Sequence, residues 1–408
     1  MKEQLLKLYD DCKVQILLCL ISIPIGIITG AIDALFGIVL SFLTTFRQTH
    51  HNLFFLPFIP VVAMFIAFVF KKYGGKCKKG MSLVFEVEDE KEETIPLLLI
   101  PFAVIGTWLT HLFGGSAGRE GVAMQIGATV ANFFYDKLHI EKASKYLLPI
   151  GMAAGFAGLF QTPIAAVLFA MEVLVAGEIR YPALIPAIVA SWVATFTSSH
   201  LGLHESAISL DIYITLDAKT WIQMIVLGLV FGIVGRAFSF CMHYAQHKAA
   251  KLFPDSIKKA LILGSINAIL LIVLWQGRYS GSGASLIEET MNGGTIHVYD
   301  WILKFGLTIL TMCTGMMGGE VVPLFTIGAT LGAVLGPLVG MNSLVAAMLG
   351  YTAVFASGTN TFFAAIFIGA EIFGFEYIPY FFIICSIAYI CNKNESIYGL
   401  QKAIFKRK

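Results

Sequence analysis

Thirteen stretches of almost unbroken apolar sequence constrain this chain more than any other feature: roughly 14–43, 53–70, 95–113, 120–135, 146–176, 182–199, 220–246, 258–276, 301–317, 322–339, 344–358, 360–374 and 377–391. Hydrocarbon offers no water to an open backbone, so a chain that enters it must be helical or a closed barrel, and runs of this length predict an all-α membrane protein. A mean hydropathy of +0.79 and only 13% charged residues exclude a soluble domain. Several stretches fall short of the about 20 residues that cross ~30 Å. Short segments ending in glycine-rich loops predict discontinuous and re-entrant helices, which are tolerated only where protein or a cavity surrounds them.

The amino terminus, MKEQLLKLYDDCK, lacks the basic-then-apolar start of a secretory signal and is expected to remain uncleaved. Lysines cluster at 71–79 (KKYGGKCKK) and near the carboxyl end (KAIFKRK), which places both of those faces, and both termini, in the cytoplasm. The seven cysteines are scattered without a CxxC pair and read as free thiols. The acidic run at 86–93 (EVEDEKEE) reads as a solvated loop.

The chain repeats itself. GMSL at 80–83 recurs as GASL at 283–286, and IGAT at 126–129 recurs at 327–330. GMAAGFAGLFQTPIAAVLFAMEV (151–173) matches GYTAVFASGTNTFFAAIFIGAEI (350–372) at eight positions, including a final glutamate. The first copy follows a lysine cluster, whereas the second follows only Arg278, so the copies are expected on opposite sides of the membrane. Inverted repeats put their site near the midplane between them. Residues 1–408 thus read as one membrane domain, approximately 14–205 and 220–400 forming the two repeats, with no cytoplasmic regulatory domain expected.

Between two apolar runs stands GGSAGREGVAMQIG (114–127), with Arg119 and Glu120 side by side. A charge at bilayer depth costs ~2.5–3.5 kcal/mol on insertion scales, so such residues face cavities and carry function. The glycines bare the backbone, and the helix that opens near Glu120 aims unpaired N–H groups at the loop, which is an anion site. An ionisable carboxylate at an anion site points to a protein that handles anions and protons together. The competing reading is a structural pair with Arg119, which gains little over apolar packing.

GREGV (118–122), GFAGLFQTPIAAVLFAMEV (155–173), GGEVVP (318–323) and Tyr398 resemble, in order and spacing, the membrane domain of the CLC anion channels and transporters. That resemblance covers essentially the whole chain and implies the CLC-type fold of two inverted repeats. It implies that Glu120 is the gating and proton-transfer glutamate. It places Gly118, Arg119, Gly121, Val122, Val321 and Val322 along the anion path, with Met81 at the first anion loop and the Tyr398 hydroxyl lining the route. A homodimer with one pathway per subunit follows from the same resemblance.

The departures from the family pattern are informative. Chloride-handling members carry GSGIP at the first loop, GREGP at the gate and GGxFxP in the second half; here stand GMSLVF, GREGV and GGEVVP, so Met81 replaces a serine and Glu320 an apolar residue. Val173 occupies the place of the inner glutamate of proton-coupled chloride exchangers. This combination is similar to the fluoride/proton antiporters of the family, although relatives there can carry a threonine where this chain has Val322. Glu320 is assigned to proton and fluoride coupling, because two acids beside one anion cannot both be ionised cheaply; its alternative is a helix cap.

The expected function is fluoride export from the cytoplasm driven by the proton gradient, with fluoride, protons, membrane lipid and a second copy of the chain as partners. No cofactor, metal, nucleic acid or enzymatic activity is expected. A chloride or nitrate exchanger, or a passive anion channel of the same fold, is the alternative. Gly114–Gly118 also fits the GxSxG elbow of hydrolases around Ser116, but that motif needs a strand before it. The pairs His243/His247 and His200/His204 have metal-like spacing but only Glu205 nearby.

Overall fold

The computed structural model describes residues 2–138, 144–204, 208, 212 and 214–404; Glu205, Lys406, Arg407 and Lys408 lie outside them. The chain runs through α1 (Lys2–Thr49), α2 (Ile59–Tyr73), α3 (Met81–Glu88), α4 (Leu99–Leu112), α5 (Glu120–Leu138), α6 (Ser144–Phe160), α7 (Pro163–Leu174) and α8 (Tyr181–His200). The second half comprises α9 (Ala218–Leu252), α10 (Ser256–Val273), α11 (Ala284–Met291), α12 (Asp300–Thr314), α13 (Val321–Leu338), α14 (Ser343–Thr359), α15 (Phe363–Phe373) and α16 (Ile378–Ile390). Among the described residues six helical spans, one of them Asn52–Tyr73 with α2 at its end, are long and apolar enough to cross a membrane.

Inversion of the halves follows from contacts at opposite ends of α1 and α2. Arg47, in the last turn of α1, donates to Ser280 in the loop before α11. The following span turns back, and Lys71 at its far end pairs with Asp255 at 3.0 Å. The short helix α3, next to the lysines, and its counterpart α11, next to Ser280, therefore enter from opposite faces. The face bearing Lys71 and Lys79 is called the lysine face below. A parallel pair of two-residue strands, β1 (Val175–Ala176) and β2 (Lys402–Ala403), closes it.

Within each half the repeat reproduces one close packing. A Cβ on Gly127 would fall on the carbonyl of Gly151, and one on Gly328 on that of Gly350, so α5 meets α6 and α13 meets α14 backbone to backbone. Only glycine permits that approach.

Two expectations change. The run 146–176 is two helices, α6 and α7, broken where Gln161 adopts φ 60° and Pro163 opens the next helix. Asn360, 199 residues on, breaks the second repeat at the equivalent place with φ 55°. The acidic run is not a solvated loop throughout: residues 86–88 finish α3. Lys79 bonds Glu86 at 2.5 Å and Glu92 at 2.8 Å, Lys76 bonds Glu92 at 2.7 Å, and Arg180 binds Glu88. The lysine cluster lies across from the acids, so opposite charge folds the segment onto the helix ends.

Candidate functional site

Two long helices carry their own polar caps: Asp217 accepts the Thr220 amide at 2.8 Å, and Asp255 accepts those of Ile257 and Lys258 at 2.8 and 3.0 Å. The helices α7, α13 and α15 begin inside the protein and are not capped by their own N-cap side chains. A carboxylate from the other repeat reaches each of them. Glu371 accepts the amides of Ile164 and Ala165 at 3.0 and 2.8 Å. Glu172 accepts those of Phe363 and Ala364, both at 2.9 Å. Glu120 accepts that of Val322 at 3.1 Å through Oε1.

The third pairing differs from the other two. Glu120 holds one amide of the helix it reaches in place of two, and its buried Oε2 has no hydrogen-bond partner among the described residues. Its carboxylate fills the space left by two glycines, since a Cβ on Gly118 or Gly319 would land on its oxygens. Gly118 and Gly319 are repeat equivalents, 201 residues apart, and they face each other as an antiparallel bridge: the Gly118 amide donates to the Gly319 carbonyl at 2.5 Å, and the Gly319 amide to that of Gly118 at 3.0 Å. The two half-chains thus join beside Glu120.

Cavities approach this point from both faces. One of about 570 Å³ opens by Lys78 and Lys79 and reaches Gly121, Glu320 and Tyr398. Met81 lies at its edge as the first residue of α3, and the Tyr398 ring packs against Phe85 at 5.8 Å and Phe169 at 6.4 Å. The other, about 430 Å³, reaches Arg119, His111 and Val322 from the opposite face. Between them lies the buried Glu120 carboxylate. A carboxylate seated on a helix-terminal amide stands in for an anion, and its protonation removes the charge that holds it there.

The structure thus brings Glu120, Gly118, Gly121, Val321 and Val322 together at the joint, with Val122 packed behind them in the apolar core. Met81, Glu320 and Tyr398 sit around the vestibule of the lysine face. Arg119 points the other way, its guanidinium 5.3 Å from the ring centre of Phe160. Glu320 stands at the N-cap of α13, yet its side chain makes no capping bond there. Val173 is buried in the core. His243 Nε2 meets the Ser396 carbonyl at 2.6 Å, and His200 Nδ1 the Phe196 carbonyl at 2.9 Å.

Two buried cations escaped the sequence reading. The Lys304 ammonium donates to Ser116 Oγ at 2.9 Å, to the Gly281 carbonyl at 2.7 Å and to the Tyr279 carbonyl at 3.3 Å. Arg47 lies beside it on Ser280, also fully enclosed. Lys304 holds the loop 114–118 of the first repeat to the loop 279–283 of the second, and Arg47 ties the end of α1 to that second loop. Their signal was in the sequence, because Lys304 lies inside an apolar run and Arg47 just past the end of one, where a charge is as costly as at Glu120.

Two inverted repeats that close on one buried carboxylate between opposed vestibules define a multi-pass membrane protein with its site at the repeat interface. Residues 62–393 match the family described as voltage gated chloride channel, and the chain belongs to that family, the CLC proteins. It is 31% identical over 385 residues to the chloride/fluoride channel protein of Pseudomonas syringae pv. tomato, covering 93% of this chain and 84% of that one. A crystal structure of a CLC-type fluoride/proton antiporter superposes with a TM-score of 0.93 at 48% identity, covering 95% and 98% of the two chains. A slow cyanobacterial Cl⁻/H⁺ antiporter, at 21% identity and a TM-score of 0.78 over 92% and 94%, shares the fold.

Proposed function

We propose that this protein exchanges fluoride for protons, exporting fluoride across the cell membrane with the lysine face and both termini in the cytoplasm. The observation that carries this reading is the Glu120 carboxylate seated on the Val322 amide between two vestibules, with Glu320 and Met81 on the cytoplasmic one. The 48% identity to a solved fluoride/proton antiporter supports the same choice.

In this mechanism ionised Glu120 occupies the anion's place at the start of α13. A proton taken from the opposite vestibule neutralises it, the carboxyl leaves the amide, and fluoride from the cytoplasmic vestibule takes the N–H. Fluoride is a small, strong acceptor whose dehydration is costly, so it needs donors arranged in advance: the Val322 amide and a protonated carboxyl of Glu320. The proton carried by Glu120 is released inward as the ion moves outward. Val322 has no hydroxyl, which leaves its backbone amide as the contact.

A structural role for Ser116 is better supported than a hydrolytic one. Its hydroxyl meets Lys304 Nζ at 2.9 Å and Thr308 Oγ1 at 3.0 Å, and the same Nζ bonds two backbone carbonyls, an arrangement that tethers the loops. The family resemblance supports a homodimer with a pathway in each subunit. The deciding measurement is efflux from liposomes holding the purified protein, read with fluoride and chloride electrodes and a pH probe in one vessel. Fluoride release with stoichiometric proton uptake is expected, and Glu120→Gln abolishes the uptake; chloride release of equal size, or proton uptake that survives Glu120→Gln, overturns the assignment.

A further inference from the structure

On the lysine face a cavity of about 340 Å³ lies between the end of α2, the start of α10 and the loop after α12. Three lysines, Lys71, Lys78 and Lys259, line it against a single carboxylate, Asp255. Asp255 is already committed to Lys71 at 3.0 Å and to the amides that begin α10. Among the described residues no carboxylate lies within ion-pair distance of Lys78 or Lys259. The cavity therefore carries unneutralised positive charge at the level where a spanning helix leaves the membrane.

A second cavity, a groove of about 360 Å³ between α2 and α4, is lined by apolar side chains. Phe70 lines both cavities and packs on Phe102 with ring centres 5.1 Å apart, so the groove begins where the basic pocket ends. Phe65, Leu98 and Ile105 on its walls are 55%, 59% and 50% exposed, which at this depth means exposed to the bilayer. A cationic pocket continuous with an apolar channel facing lipid matches one class of molecule at both ends.

We infer that this composite site binds one anionic phospholipid, its phosphodiester on Lys78 and Lys259 and an acyl chain along the groove past Phe70 to Ile105. Anionic headgroups are drawn to basic residues at the cytoplasmic surface, and basic pockets between membrane helices hold them specifically. A free phosphate would use the lysines but not the groove; a neutral lipid would use the groove but not the lysines. The headgroup borders the transport machinery, because Lys78, Gly315 and Met317 line both this pocket and the vestibule of Glu320. Met317 also packs on Gly106 of α4 and leads directly into Gly318 and Gly319.

The test is native mass spectrometry of the full-length protein, delipidated and then re-supplied with phosphatidylglycerol or phosphatidylcholine. The wild type is expected to retain one phosphatidylglycerol per chain at least tenfold better than phosphatidylcholine. Lys78→Gln with Lys259→Gln should remove that preference, and so should Ile105→Trp, which fills the groove and leaves the lysines intact. All three positions are partly or fully exposed, and an unchanged gel-filtration profile checks the fold. Equal retention of the two lipids, loss in only one of the variants, or displacement of the lipid by an equal concentration of inorganic phosphate overturns the proposal.

Discussion

Glu172 and Glu371 exchange places: each ends a helix of its own repeat and holds two amides at the start of a helix of the other. They are the glutamates that the repeat sets in register, 199 residues apart. A carboxylate on two amides makes two charge-assisted bonds, and glutamine keeps an acceptor for only one of them while turning an N–H toward the other. Losing one such bond costs ~1.5–3 kcal/mol. Glu172→Gln and Glu371→Gln are expected to lower the unfolding temperature in detergent by similar amounts while leaving the ion pathway in place. A silent variant at either position would show that the exchange is not a matched latch between the repeats.

Lys304 carries a separate prediction, since it joins the two loops and also lies within electrostatic reach of Glu120. Lys304→Met leaves Ser116 and the carbonyls of Gly281 and Tyr279 without their donor, whereas Lys304→Arg keeps charge and donors. The methionine variant should need about tenfold more fluoride for half-maximal transport, equivalent to ~1.4 kcal/mol of lost attraction. The arginine variant should recover most of that. Equal half-saturation in both variants would reduce Lys304 to a loop tether.

How much of this was legible in sequence depended on whether the partner was local. The helices and their inversion followed from apolar length and from the lysines, which are properties of a segment by itself. The break at Gln161 was hidden because a single polar residue inside an apolar run does not announce a left-handed turn, and only Pro163 hinted at it. Glu172 and Glu371 were visible as matching positions, yet their role depends on amides about 200 residues away. The acidic run misled for the same reason: its charge suggested solvent, while its partners Lys76, Lys79 and Arg180 come from other elements.

That ion-paired segment has its own pH behaviour. The ammonium groups of Lys76 and Lys79 bond the Glu92 carboxyl and hold its pKa down to about 2. A depressed value means that the contribution is present at any pH above the ordinary carboxylate range and is lost only as pH falls through about 2. Limited proteolysis within 86–93 should therefore be unchanged between pH 7 and pH 5. In Lys76→Ala with Lys79→Ala, cleavage should be faster across that whole range. Release of the wild-type segment at pH 5 would show that these pairs do not pin it.

Selectivity for fluoride should divide between Met81 and Glu320, which share the vestibule of the lysine face. Met81 opens α3 and has no hydrogen to donate, so the position offers chloride nothing where a serine would offer a hydroxyl. Glu320, when protonated, can donate a short bond to a small hard anion, and its side chain is not spent on capping α13. Met81→Ser is expected to raise chloride transport while sparing part of the fluoride flux. Glu320→Ala removes a ligand and a proton site together, so it should slow fluoride by one to two orders of magnitude, the equivalent of losing ~1.5–3 kcal/mol, and uncouple it from protons. The two effects oppose each other, which separates them from a general loss of folding, since a misfolded protein gains no chloride flux. If Glu320→Ala moves fluoride at the wild-type rate with coupling intact, the acid takes no part in transport, and the proton must pass by Glu120 alone.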